Sequence, residues 1–292
     1  MTTECAIIIG ISLFLYLAAS LFFQGQLLLG RRGWNELGRR ALRLGLGVHA
    51  VGLVIHFAVS GTSPFTDLLL IVSLFVVAVL LANELIERLT PIRSLGFIVA
   101  PLAFFGLLYP VLMPIRFEEA ESILLRYPWL GVHVGTSLLG VVGFALAFTA
   151  AVIVLVQSRL LKRGRLNQLL PALDTAARAA DRCAGGGFFL FTIGLVMGII
   201  WLFGAPGEYL GRGDAKILLA VPTWVVFAIY LYLRGVSGRQ ESRLKWLLVA
   251  GFFLALVNLF AVRHDFEEFS QTESFGDVAR GNPEAAPRRI TC

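Results

Sequence analysis

Eight stretches of apolar sequence, each near the roughly 20 residues a helix needs to cross a hydrocarbon layer, dominate this chain and leave few folds open to it. They fall at about 5–24, 44–60, 67–83, 95–114, 130–157, 184–204, 217–233 and 246–262. Gly61, Pro64, Pro91, Pro128, Pro171 and Pro206 stand in the gaps, where helix breakers belong. Hydrophobic residues make up 57% of the 292 and charged residues only 15%, well below the quarter or so of a soluble domain. A single core could not hide that much apolar surface. The expected fold is all-α: a polytopic transmembrane helix bundle of about eight spans over residues 1–264, followed by a disordered polar tail over 265–292.

The net charge of +6 invites a nucleic-acid reading, which fails once the charges are located. The basic residues sit in short segments between apolar runs, so no basic domain exists to lie along phosphates. Arg31, Arg32, Arg39, Arg40 and Arg43 follow the first run, and Arg88 and Arg93 follow the third. Arg159, Lys162, Arg163, Arg165, Arg178 and Arg182 follow the fifth; Arg234, Arg239, Arg243 and Lys245 follow the seventh. Glu118, Glu119, Glu121, Asp265, Glu267 and Glu268 lie on the opposite side. Basic loops stay in the cytoplasm, so both termini are expected outside, in the periplasm of a bacterial inner (plasma) membrane. Glu4 stands where a secretory signal would carry a cation, and the first run reads as a retained helix.

Cys5, Cys183 and Cys292 are far apart, without a CxxC pair, and indicate neither a disulfide framework nor a thiol-redox motif. No phosphate-binding glycine loop, HExxH helix or Ser-His-Asp arrangement is present. Glu84, Glu87 and Arg88 read as a solvated helix end. Gly185 to Gly187 read as a site of close helix packing or a flexible helix start. No Asp, Glu, Lys or Arg falls deep in any run, which argues against a charge-coupled transporter. No internal repeat supports one either.

The histidines are left. His49 and His56 share one helical face, nearly two turns apart, and His133 and His264 stand at the outer ends of the fifth and eighth runs. Neutral imidazole at membrane depth suits heme iron as an axial ligand, and Arg212 or Lys216 could meet the propionates. A histidine at an interface is also an ordinary amphipathic anchor, and placement alone leaves both readings open.

Several stretches carry a resemblance to a known family. They are HAVGLVIHFAVSGTSPF from His49, GVHVGTSLLGVVGFALAFTAAVIVLVQSRLLK from Gly131 to Lys162, LDTAARAADRCAGGGFFLFTIGLVMGIIW ending at Trp201, and DAKILLAVPTWVVFAIYLYLR from Asp214 to Arg234. Together they resemble the cytochrome c assembly family of heme-handling membrane proteins, in its HemX-like and YpjD-like branch, over about residues 42–264. The resemblance places His49 on the family's transmembrane histidine and His133 and His264 on its two outer histidines. Asp214, Lys216 and Trp224 fall on its Asp, Lys and Trp. The family's tryptophan-rich outer loop is degenerate here: the stretch is APGEYLGRGDAK, with Gly211, Arg212 and Gly213 before the Asp, and Trp201 and Tyr209 as the nearby aromatics.

The resemblance implies a heme-handling accessory protein of cytochrome c biogenesis. It would bind b-type heme through His49, His133 and His264, within a set that includes Trp201, Tyr209, Arg212, Asp214 and Lys216. Its partners would be membrane lipid and other cytochrome c maturation or heme-biosynthesis proteins. The degenerate loop gives no support for thioether-forming synthase activity. A non-catalytic scaffold for a heme-biosynthesis enzyme, acting through the basic inner segment 158–183, is the alternative reading, and a solute transporter the third.

Overall fold

The computed structural model describes residues 3–29, 33–60, 67–90, 92, 95–113, 128–164, 169–204, 215–237 and 242–261. Among them lie eight α-helices: α1 Thr3–Leu29, α2 Trp34–Ser60, α3 Leu68–Leu89, α4 Gly96–Leu112, α5 Pro128–Lys162, α6 Leu173–Gly204, α7 Ala215–Ser237 and α8 Lys245–Ala261. A short 3-10 turn, Ser242–Leu244, leads into α8. No strand occurs among the described residues. Each of the eight expected runs carries a helix among its described residues, and the polar tail lies outside the described residues.

Seven helices are long and apolar enough to cross a membrane, and Gly96–Leu112 is a shorter apolar helix. The expected run at 95–114 is trimmed to 17 residues, about 26 Å at 1.5 Å per residue, against a hydrocarbon layer of about 30 Å. Two prolines, Pro101 and Pro110, lie inside this helix. By contrast, α5 has 35 residues, about 52 Å of helix, and projects beyond any bilayer core. Helices α2 and α6 begin at Trp34 and Leu173, well before the apolar runs at 44 and 184. Arg39, Arg40, Arg43, Arg178 and Arg182 are therefore helical residues rather than loop residues.

The helices pack as two rings of four. In the first, α1 touches α2, α2 touches α3, α3 touches α4, and α4 returns to α1. In the second, α5, α6, α7 and α8 close the same circuit. The principal contact between the rings is α3 against α5. A hydrogen bond of 2.7 Å from Gln24 Nε2 to the Phe97 carbonyl ties α1 to α4. Phe144 of α5 stacks on Phe227 of α7, with centroids 3.5 Å apart, across the middle of the second ring.

The α5–α6 seam is the most extensive contact in the bundle, because small residues let the backbones approach. A Cβ on Gly187 would meet the Gly140 carbonyl oxygen at 2.8 Å, and one on Gly140 would meet the Phe191 amide nitrogen at 2.7 Å. Of the two expectations for the glycine triplet, close packing holds for Gly187. A flexible helix start does not, since the helix begins more than two turns earlier; Gly185 and Gly186 face open space.

Candidate functional site

His49 lies near the middle of α2 and is 1% exposed. Gly45 and Gly52, four residues before and three after, share its face of the helix. A Cβ at Gly45 would meet Tyr16 Cε1 at 2.8 Å, and one at Gly52 would run into Ile8. The two glycines let α1 lie close over the histidine. Tyr16 of α1, itself 0% exposed, places its hydroxyl 3.1 Å from His49 Nδ1. The other ring nitrogen, Nε2, is buried and has no hydrogen-bond partner. An unpaired buried polar atom costs about 1–3 kcal/mol, so this nitrogen is a place where a ligand would be stabilised.

His133 lies in the second turn of α5. Its Nδ1 is 2.6 Å from the Gly194 carbonyl oxygen on α6. A carbonyl only accepts, so in the neutral ring Nδ1 carries the proton and Nε2 the lone pair. Gly198, one turn further along α6, meets the same imidazole: a Cβ there would come within 2.7 Å of His133 Cε1. Trp201 closes the same end of α6 and is half-buried. On α7, Trp224 donates from Nε1 to Thr192 Oγ1 at 2.9 Å.

Tyr209, Arg212, Asp214 and His264 lie outside the described residues, and of Lys216 only the helical backbone is described. The expected meeting of His133 with His264 therefore falls outside the described residues too. His56 is half-buried on α2, with its ring edge on Phe57.

Two charged clusters come together only in the fold. Lys245, the first residue of α8, is 2% exposed. Its ammonium donates to Asp181 Oδ1 and to the Tyr230 hydroxyl, both at 2.5 Å. Arg234 Nε donates to Asp181 Oδ2 at 2.7 Å, and the Tyr230 hydroxyl also reaches Asp181. This network ties α6, α7 and α8 together at one end of the second ring. At the corresponding end of the first ring, Glu84 is not a solvated helix terminus. It bridges Arg43 of α2 and Arg88 of α3, at 2.9 Å each, and Glu87 is buried beside it.

No cluster of three or more His, Cys, Asp or Glu side chains that could hold a metal ion occurs among the described residues. A porphyrin needs no such cluster, because the macrocycle itself surrounds the iron and the protein supplies axial ligands. A single imidazole with an orienting partner on its other nitrogen is the donor a heme iron takes, and His49 and His133 each have that partner.

The cytochrome c assembly protein model matches residues 41–267. The chain belongs to that family. Within it, the chain is 40% identical over 90 residues to the cytochrome c biogenesis protein CcsA of Picosynechococcus sp., a stretch covering 31% of this chain and 26% of the relative. It is 28% identical to Protein HemX of Brevibacillus brevis over 258 residues, 86% of this chain and 93% of the relative. The solved structure of cytochrome c heme lyase CcmF superposes with a TM-score of 0.67 at 16% identity, over 96% of this chain and 50% of that one. That likeness concerns the fold. The chain spans about a quarter of the CcsA relative and half of the CcmF chain. This cytochrome c assembly family member is a multi-pass membrane protein.

Proposed function

We propose that this chain handles heme as an accessory protein of cytochrome c biogenesis, taking the iron on His49 within the first ring and on His133 at the end of the second. One observation carries the reading: His49 Nε2 is buried in the bundle with no partner, on a ring whose other nitrogen is held by Tyr16. Ligation requires Nδ1–H to donate to the phenol oxygen, a role that oxygen accepts. His133, with its Nδ1 proton committed to Gly194, offers the same atom to iron. When bound, heme would supply the redox-active iron. His49 and His133 would hold it through Nε2, each with its Nδ1 turned to a partner on the neighbouring helix.

The test is an absorption spectrum of detergent-solubilised full-length protein with and without added hemin. A Soret band of imidazole-ligated heme that is lost in His49→Ala and weakened in His133→Ala is the expected result. Protein that takes up no hemin sinks the reading. The cations Arg159 and Lys162 in the last turn of α5 and Arg178 and Arg182 early in α6 favour a second role, a non-catalytic scaffold for a heme-biosynthesis enzyme. Co-purification of a soluble partner that survives His133→Ala would support that role.

The same reading puts the chain in a bacterial inner membrane with both termini periplasmic. Arg159 of α5 lies over the Trp246 ring of α8 at 5.7 Å, and the Asp181 network brings Arg234 and Lys245 together. The end of the second ring where α5 finishes and α8 begins is therefore rich in cations, as a cytoplasmic end would be.

A further inference from the structure

His49 and His133 are each oriented through Nδ1, and His133 is also held against a surface from which a side chain is missing. A Cβ on Gly198 would lie 2.7 Å from His133 Cε1, 3.1 Å from Nδ1 and 3.5 Å from Nε2. The whole N–C–N edge of the ring thus rests on the α6 backbone. Four residues earlier, the Gly194 carbonyl accepts from Nδ1 at 2.6 Å. A Cβ on Gly194 would run into Ser137 of α5, so this glycine also sets how near its carbonyl comes. His133 and Ser137 on α5 and Gly194 and Gly198 on α6 are each one turn apart, and they mesh as two steps of one seam.

We infer that Gly194 and Gly198 form a seat that locks His133 in the Nδ1–H tautomer, making Gly198 a positioning residue for Nε2 as the iron-ligating atom. This rests on the heme-handling reading above. The chemistry is that of a metal-bound histidine, whose second nitrogen donates to a carbonyl so that ring plane and basicity are set before the metal arrives. Any side chain at position 198 turns the ring edge away, breaks the bond to Gly194 and re-aims Nε2.

Two measurements test the seat. In hemin titrations of the detergent-solubilised full chain, Gly198→Ala should lower affinity about 10- to 100-fold, as losses of orienting partners do, and move the iron toward a high-spin spectrum. Gly251→Ala is the matched control, since its Cβ would also meet a ring at 2.7 Å, that of Phe227, away from His133. Equal losses in both variants would reduce the seat to packing and overturn the inference. The second measurement needs no heme: ¹⁵N-histidine spectra of hemin-free protein, with His133→Ala to assign the signal. An Nδ1–H tautomer supports the seat, and an Nε2–H tautomer overturns it even if Gly198→Ala fails to fold. If His133→Ala leaves hemin uptake untouched while the tautomer is Nδ1–H, the ligand reading of His133 fails and the seat itself stands.

Discussion

The Tyr16 hydroxyl on α1 stands 3.1 Å from Nδ1 of His49 on α2, so a hydroxyl on one helix sets the imidazole of the next. Tyr16→Phe removes that partner and leaves a buried nitrogen unpaired, a loss of about 1–3 kcal/mol. If Tyr16 orients the ring, hemin affinity should also fall by about tenfold. Thermal unfolding and hemin titration on the same preparation check both effects. Unchanged affinity would remove Tyr16 from the site.

The glycine triplet offers a sharper contrast, because its members differ only in what they face. Gly187→Ala drives a methyl group into the Gly140 carbonyl and should push α5 and α6 apart, with a loss of about 1–3 kcal/mol. Gly186→Ala meets open space and should gain about 0.5–1 kcal/mol from helix propensity. The two midpoints, measured side by side in one detergent, should move in opposite directions.

At the other end of α6, Asp181 serves Lys245, Arg234 and Tyr230 together. Asp181→Ala would leave the Lys245 ammonium buried without a counter-charge, a loss of about 3–5 kcal/mol. Arg234 is partly exposed, so Arg234→Gln should cost no more than about 1 kcal/mol. The double variant Asp181→Leu with Lys245→Met should recover much of the stability lost in Asp181→Ala, since it removes the buried ammonium together with its counter-charge. Failure of that recovery in denaturant titrations would mean that the pair does more than neutralise itself.

Orientation is open to a direct check. Alkaline phosphatase fused after Cys292 should be active, as it is only in an oxidising compartment, whereas a fusion in the connection near Arg163 should be silent. The reverse pattern would invert the bundle and put His133 on the cytoplasmic side.

The helices were legible because an apolar run of membrane length has few alternatives; their starts were not. Arg39, Arg40 and Arg43 resemble loop residues to a charge count, yet α2 runs through them, since Arg39 and Arg40 pair with Glu36 on the same helix and Arg43 finds Glu84. Lys245 reads as one more cation between apolar runs, because its partner Asp181 is 64 residues away and nothing local announces the pairing. His49 and His133 stood out as ionisable residues within or beside apolar runs. Their partners did not: Tyr16 reads as one more aromatic, and the Gly194 carbonyl belongs to the backbone. A tautomer fixed by a main-chain oxygen leaves no trace in side-chain chemistry, and only the register of two helices reveals it.

The two closed circuits of helices carry a consequence for how the molecule could be taken apart. Severing the chain between Met113 and Pro128 would leave each fragment with all four members of its own circuit, His49 in one and His133 in the other. Produced together, such halves would meet in the lipid chiefly through the face between α3 and α5. Each histidine could then be studied in a piece that lacks the other.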